Sequence, residues 1–458
     1  MRIIIHIYEH QINFPAVLTD SLTMSQDQFT QELNHYPSDA PARQKRRRLF
    51  AAMIGNVLEY YDFIIFAYMA SLIARNFYQG DGATGLLASF ATFGVGFLAR
   101  PLGGAVIGRI ADKYGRSLAL KITIYGMALG TVGIGLLPTY ETAGIIAPIL
   151  LVIIRLIQGL AAGGEWGTAT TFVVESAPAG KRGLFGALGQ AAIASAQLVT
   201  SLVVAIVTII FSEQQMVDWA WRIPFLLGAV LLPVGVYMRR NLEETPAFIA
   251  SQENPSDNPK VPANAALRMM GQTFGFAIIW TVSYYVMLSW MPTFLNKQVG
   301  FTQTQALISN AIALAIMVAT IPFFGALSDR IGRKPLLLAC CAAFVILPWP
   351  LFYLVLASKT FYVVLAVQIV FNLFIAAFSG AAPSALCEIF PTASRTLLLS
   401  VSYSLSTAIF GGFAPFISTG LIDLTGMPIS PAFYLILAGA ISGLVIMRLR
   451  ETARESLR

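Results

Sequence analysis

Gly108-Arg109-Ile110-Ala111-Asp112-Lys113-Tyr114-Gly115-Arg116 sits between two hydrophobic stretches in the first half of this chain. Gly325-Ala326-Leu327-Ser328-Asp329-Arg330-Ile331-Gly332-Arg333 repeats its pattern in the second half. Both copies read Gly-x-x-x-Asp-basic-x-Gly-Arg. An acid–base pair follows each at nearly the same offset, Glu175 with Arg182 and then Glu388 with Arg395. Charged signatures that recur at one spacing indicate an internal duplication covering most of the chain. In membrane proteins built from such repeats, the binding site lies where the halves meet. The pattern is the one expected of a transporter.

Composition points the same way. Of 458 residues, 56% are hydrophobic and only 12% charged, against roughly 25% charged in ordinary soluble domains. So apolar a chain calls for a bilayer as its solvent. Apolar stretches of about 20 residues, the length that spans ~30 Å of hydrocarbon, fall at 49–75, 84–111, 118–137, 145–174, 184–211 and 219–239. Six more follow at 268–295, 303–328, 335–357, 361–387, 396–421 and 431–449. The expected fold is an all-α membrane protein, with twelve transmembrane helices in two pseudo-symmetric six-helix halves, 49–239 and 268–450. A polar tail (1–48) precedes them, a polar, proline-containing linker (240–267) joins them, and a short tail (451–458) follows.

Lysine and arginine set the expected orientation. With the N-terminus inside, Arg43, Lys45–Arg48, Arg109, Lys113, Arg116, Lys121, Lys181 and Arg182 fall on the cytoplasmic side. The linker bases, Arg330, Arg333, Lys334, Arg395 and the bases from Arg448 onward join them, leaving Arg75, Arg222, Lys297 and Lys359 outside. The positive-inside rule then puts both termini in the cytoplasm. It also accounts for the net charge of +7 without nucleic acid. Residues 1–18 lack a small-residue cleavage site, so no signal peptide is expected, and Met24 is a candidate natural start. His6, His10 and His35 precede the first long apolar segment, and Cys340, Cys341 and Cys387 have no metal-ligand spacing. No metal or cofactor is expected, and proton chemistry inside the membrane must use carboxylates. The expected partners are a small-molecule substrate, protons and lipid, with the protein acting as a monomer.

Further blocks carry a family resemblance: Gly55-Asn56-Val57-Leu58-Glu59-Tyr60-Tyr61-Asp62-Phe63, Gly96-Phe97-Leu98-Ala99-Arg100-Pro101-Leu102-Gly103-Gly104 and Arg155-Leu156-Ile157-Gln158-Gly159. To these are added Gly163-Gly164-Glu165-Trp166-Gly167, Trp221-Arg222-Ile223-Pro224 and Ala408-Ile409-Phe410-Gly411-Gly412. With the duplicated motif and the helix count, they resemble the major facilitator superfamily, and within it the metabolite:proton symporter family. The resemblance runs from residue 49 to about 450. It implies a multi-pass protein of the bacterial inner membrane, working by alternating access on citrate, tricarballylate, 2-oxoglutarate, shikimate, or proline and betaine. It also implies that Asp112 with Arg116, Asp329 with Arg333, Glu175, Arg182, Glu388 and Arg395 form a charge network latching the cytoplasmic side.

Ionisable groups deep in a bilayer cost at least ~2.5–3.5 kcal/mol each and are functional candidates by default. Glu59, Asp62, Arg100, Arg155 and Glu165 all belong to the first half, so coupling chemistry is assigned there. Glu59 and Asp62 are three residues apart and share a helix face. Two close carboxylates in low dielectric cannot both ionise cheaply, which suits a proton carrier; a fixed pair with Arg100 is the alternative. Arg100 can grip a substrate carboxylate or serve as that counter-ion. Its neighbours Pro101, Gly103 and Gly104 permit bending or close helix contact. Arg155 and Gln158 resemble the superfamily's second motif, associated with proton transfer or with structural pairing. Glu165 reads as a gate ion pair before a release-side proton site. In the second half, Trp280, Tyr284, Tyr285 and Asn310 supply a neutral wall opposite the charged one.

Two substrate classes fit these residues. A di- or tricarboxylate such as citrate needs Arg100 and Arg155; a zwitterion such as proline or glycine betaine needs an aromatic cage, which Trp280, Tyr284 and Tyr285 can supply. Leu405 to Gly426 resembles citrate and tricarballylate carriers, whereas Thr281 to Leu295 resembles the proline/betaine carrier. The chain shows no C-terminal heptads of the osmosensing type. The expectation is organic acid:proton symport, with zwitterion symport as the alternative. A membrane enzyme is not expected, because no histidine cluster or metal-ligand set is visible.

Overall fold

The computed structural model describes residues 60–79, 82–114, 116–163, 165–178, 180–229, 261–453 and 455. Within these, the side chains of residues 108, 109, 111–114, 116–121, 124, 165, 392 and 393 are outside the description. The polar tail with Met24 and the linker as far as residue 260 also fall outside it. Among the described residues there are no strands, and each predicted apolar stretch is helical over most of its described length. Helix α1 runs through residues 60–68 and resumes as Ala70–Phe77. It is followed by α2 (Ala83–Ile107), α3 (Arg116–Leu136), α4 (Ile146–Glu175) and α5 (Arg182–Ile210). Helix α6 is described through 222–229. The second half contains α7 (Ala263–Val299), α8 (Gln303–Ile331), α9 (the pair Arg333–Ile346 and Pro348–Ser358), α10 (Phe361–Ile389), α11 (Ser394–Thr425) and α12 (Pro431–Arg448). Among the described residues, eight of these are long and apolar enough to cross a membrane, or nine if the bent pair is one span. The remaining three, α1, α3 and α6, border on residues outside the description.

Prolines and unusual helical turns shape the spans. Pro101 has no N–H and its ring crowds the preceding turn, and α2 breaks at Ala99 before continuing. Helix α9, predicted as one stretch, bends by 48° between Ile346 and Pro348 for the same reason. Helix α7 starts at Ala263, earlier than predicted, directly after Pro262. It passes through π-helical turns at Tyr285–Trp290 and Leu295–Val299, and α11 passes through one at Thr407–Gly412. Such turns shift the hydrogen-bond ladder by one residue and concentrate at functional sites. Helix α7 is also the most enclosed span: 94% of its most apolar window is buried, against 39–50% for the other single spans. It is a central helix, and α1, whose residues from Tyr60 to Ala70 are all buried, is enclosed in the same way.

Antiparallel helix pairs join the halves, among them α5 with α8 and α2 with α11. Helix α5 lies against α8, with Gly183 at Asp329, Ala187 at Gly325, Ser201 at Leu307 and Thr208 at Thr304. A Cβ on Gly183 would collide with the Ser328 hydroxyl, and one on Gly325 with Ala187. Small residues therefore let the two backbones touch. Gly325 opens the second copy of the duplicated motif, so its place there is explained by packing. Helix α2 lies against α11 in the same manner, with Phe97 against Gly412 and Gly94 against Phe413.

Candidate functional site

At one end of the bundle the second motif copy builds a charge network. Arg333 donates to Asp329 at 2.9 Å and to Glu388 at 3.4 Å, while Arg182 lies 3.8 Å from Glu388. Asp329 also accepts the backbone N–H groups of Gly183 and Leu184. It thereby caps the N-terminus of α5, where a negative charge meets the positive end of the helix dipole. Arg395 is fully buried, pairs with Glu175, and donates to the carbonyls of Cys387 and Phe390. The sequence pairs Glu175 with Arg182 and Glu388 with Arg395 inside each repeat. In the structure the partners are exchanged, so that Glu175–Arg395 and Arg182–Glu388 each cross between halves. The side chains of Asp112 and Arg116, the first-copy members of the expected latch, lie outside the described residues.

The C-terminal tail is stapled over this network. Glu451 accepts N–H bonds from Arg333 at 3.0 Å and Lys334 at 2.8 Å, at the start of α9, and from Thr452 and Ala453. Thr452 donates to Glu388, and Arg182 donates to the carbonyl of Glu455. Desolvation alone would raise the Glu451 pKa, but the four backbone donors outweigh it and hold the carboxyl below its ordinary range. A depressed pKa means the anchor is intact above the unfolded value of about 4.3 and is lost as pH falls through the folded one. Amide exchange in residues 451–455 is therefore expected to stay flat from pH 8 to 5 and to quicken only in more acid solution. Glu451→Gln should show the fast exchange at pH 7, and an unchanged tail in that variant would rule out the charge as the anchor.

The opposite end is tied by neutral groups. The Tyr68 hydroxyl donates to the Leu288 carbonyl at 3.0 Å and accepts from Asn310 at 2.9 Å; Asn310 also donates to Leu288. Gln303 donates to the Tyr68 carbonyl. Asn310, expected in the substrate wall, thus has its amide nitrogen committed to a tie between halves. From Asn310 to Asp329 is nineteen residues of α8, about 28 Å of helix. The halves are joined at both ends of that length.

Between the two ties lie the buried charges of the first half. Arg155, with no exposed surface, donates to Gln158 at 3.0 Å and to the Phe93 carbonyl at 3.4 Å. Gln158 in turn donates to Thr131. The Arg155 guanidinium also lies over Phe63, Phe66 and Phe93 at 4.7, 4.6 and 5.4 Å from the ring centres. Arg100 lies over Phe63 and Phe97 at 4.1 and 4.6 Å. Asp62, 7% exposed, is in electrostatic reach of Arg155, as are Arg100 and Tyr285. A guanidinium over an aromatic face gains cation–π attraction, which lets these cations sit in a dry core. The phenylalanines that do this carry no sequence signal, because a Phe in a span reads as ordinary core. Glu59 and the side chain of Glu165 lie outside the described residues.

Aromatic side chains from both halves pack beside this region. Trp280 donates to Ser379 at 2.9 Å and packs near Trp166, Tyr403 and Phe378 at 5.9, 5.6 and 6.1 Å. Trp166 stacks on Tyr403 at 3.7 Å. Tyr285 meets Phe97 at 5.2 Å and Tyr284 at 5.9 Å. The buried Tyr284 hydroxyl has no hydrogen-bond partner among the described residues, and it lies in electrostatic reach of Tyr285, Tyr403 and Tyr68. An unsatisfied buried hydroxyl costs about 1–3 kcal/mol, a penalty that a ligand bound there would remove. Trp166 and Tyr403 were not singled out from the sequence. Trp166 stood in a quoted block, but only the joining of α4 to α11 reveals its partner.

Paired six-helix halves, tied at both ends around buried charges and aromatics, are the architecture of a multi-pass membrane carrier. The chain belongs to the Major Facilitator Superfamily, whose model matches residues 52–357 and 311–458. It is 35% identical over 430 residues to the proline/betaine transporter of Escherichia coli (strain K12), covering 90% of this chain and 85% of that one. It is also 35% identical over 441 residues to the ectoine/proline transporter ProP of Corynebacterium glutamicum, covering 91% and 86%. Among solved structures it superposes on a D-xylose-proton symporter with a TM-score of 0.73 and 17% identity, covering 90% of this chain and 99% of that one. That likeness concerns the fold.

Proposed function

We propose that this chain is a proton-coupled symporter that imports a small zwitterion of the proline or betaine kind by alternating access across a bacterial inner membrane, with both termini cytoplasmic. The observation that carries the reading is a run of contacts joining the buried arginines to the aromatics. Arg100 lies over Phe97, Arg155 is in electrostatic reach of Tyr285, and Tyr285 meets both Phe97 and Tyr284. Tyr284 is in turn in electrostatic reach of Tyr403, which packs with Trp166 and Trp280. A zwitterion presents a carboxylate to guanidinium groups and an alkylated ammonium to aromatic faces, so both of its charges find partners. Relatives named for proline, betaine and ectoine support the same class. The citrate expectation gains no such support, and a tricarboxylate would leave the aromatic wall without a cation to bind.

Asp62 serves as the proton carrier in this reading, being a buried carboxylate beside the arginine site. Protonation there releases Arg155 and Arg100 to the substrate carboxylate, the halves then rock, and the charge network with its Glu175–Arg395 and Arg182–Glu388 bridges opens. Purified protein in proteoliposomes with an inward proton gradient is expected to concentrate labelled proline or glycine betaine, and a protonophore should abolish this. Citrate should neither accumulate nor compete. Protonophore-sensitive citrate uptake with no uptake of either zwitterion would replace this reading with organic-acid symport.

A further inference from the structure

Helices α4 and α11 come from opposite halves and run antiparallel in one continuous register. Glu175 pairs with Arg395, Gly167 abuts Ser400, and Trp166 stacks on Tyr403. A Cβ on Gly167 would collide with the Ser400 hydroxyl, so the two backbones are in direct contact at this level. The stacked rings lie 3.7 Å apart between centres, at 21°. Trp280 on α7 closes the third side of the layer, held in place by Ser379. Tyr403 is eight residues from Arg395, about 12 Å along the helix. The aromatic layer is therefore separate from the charged network and lies between it and the Tyr284 hydroxyl.

Two buried polar groups in this layer stand without partners, and the layer lies where the halves would part. The Trp166 indole N–H and the Ser400 hydroxyl have no hydrogen-bond partner among the described residues. A buried tryptophan N–H usually finds a hydrogen-bond partner, and this one does not. Their position on either side of the α4–α11 crossing means that any separation of the halves at this end pulls Trp166 away from Tyr403.

We propose that Trp166 and Tyr403, backed by Trp280, form an inner aromatic gate that is both the floor of the substrate chamber and part of its cation site. The gate rests on the zwitterion reading only for the chemistry of its occupant. While the rings are stacked, the substrate's ammonium end lies on an intact aromatic surface. When the halves part, Trp166 leaves with one half and Tyr403 with the other, so the cation site is dismantled by the motion that opens the exit. Loss of affinity and opening of the path are then one event, and the charged network 12 Å further on (~, from the helical rise) acts as a second, outer barrier.

The test separates gate from substrate. In a background with Cys340, Cys341 and Cys387 replaced by serine, Ser283→Cys places a thiol one turn above Trp280, whose carbonyl accepts from the Ser283 hydroxyl, at a position 2% exposed. Inside-out vesicles are treated with a membrane-impermeant maleimide, with no substrate present. Trp166→Ala is expected to speed labelling at least ~10-fold, a change equivalent to about 1.4 kcal/mol, while Trp166→Phe, which keeps a stackable ring, labels at the parent rate. Labelling of Trp166→Ala within twofold of the parent overturns the gate. Transport is measured in the same variants with glycine betaine: Tyr403→Ala should raise KM at least ~10-fold by loss of the cation surface, and Tyr403→Phe should restore it. Unchanged KM in Tyr403→Ala overturns the cation-site role. If the parent transports no zwitterion but Trp166→Ala still labels rapidly, the zwitterion reading falls and the gate stands.

Discussion

Asp62→Asn should reduce the steady-state accumulation ratio of substrate to about one while leaving exchange of internal for external substrate in place. A proton moving down a gradient of one pH unit releases about 1.4 kcal/mol, and a potential of 100 mV adds about 2.3 kcal/mol per charge. One proton carried with a zwitterion therefore supports an accumulation of several hundred-fold, since each 1.4 kcal/mol is tenfold. Asparagine keeps the shape of the side chain and stands for its neutral, protonated form, with a donor in place of one acceptor oxygen, but it cannot carry the proton. The driving force is then disconnected although the binding walls, which Asp62 does not form, persist. Labelled glycine betaine in proteoliposomes measures both quantities. An Asp62→Asn variant that concentrates substrate as the parent does would remove Asp62 from the coupling role and direct attention to Glu59.

Arg395→Gln is expected to release the latched end. Arg395 has no exposed surface and holds three groups at once: the Glu175 carboxylate and the carbonyls of Cys387 and Phe390. Breaking a fully buried pair costs about 3–5 kcal/mol. Glu175, however, is 36% exposed, and solvent screening lowers that figure to roughly 2–3 kcal/mol. Where only a few kcal/mol separate two conformations, a loss of that size moves their ratio by about 30- to 150-fold. Spin labels on α4 and α11 near this end, read by pulsed dipolar spectroscopy, should shift from a short to a long distance distribution. Glu175→Gln, which leaves Arg395 on its two carbonyls, should give a smaller shift of the same sign. An unchanged distribution in Arg395→Gln would show that the bridge does not hold the halves together.

The duplicated motif made the architecture legible because charges stand out in apolar sequence and because their spacing repeats. The buried charges Asp62, Arg100 and Arg155 were legible for the same reason. What the sequence could not show was the choice of partner. Glu175 and Arg182 are close in the chain, yet each bonds across to the other half, since the helix ends that meet in space belong to different repeats. Asn310 reads as a polar group facing a cavity, but the widened turn of α7 offers it the Leu288 carbonyl. Trp166 and Tyr403 lie far apart in sequence and look like ordinary span aromatics until α4 and α11 are brought together. The citrate expectation follows from the likeness of Leu405 to Gly426 and from the missing C-terminal heptads; relatives named for proline, betaine and ectoine weigh against it.

The two halves arose as copies, yet they have been put to different uses. Among the described residues, the charged side chains buried away from the helix ends are Asp62, Arg100 and Arg155, all from one copy; α7 and α11, which carry most of the aromatic wall, come from the other. On the proposed zwitterion reading, changes in α7 and α11 would therefore retune the cation site without touching Asp62, the proposed proton carrier. A lineage of such proteins can diversify its diet one half at a time, keeping its power supply fixed while its menu changes.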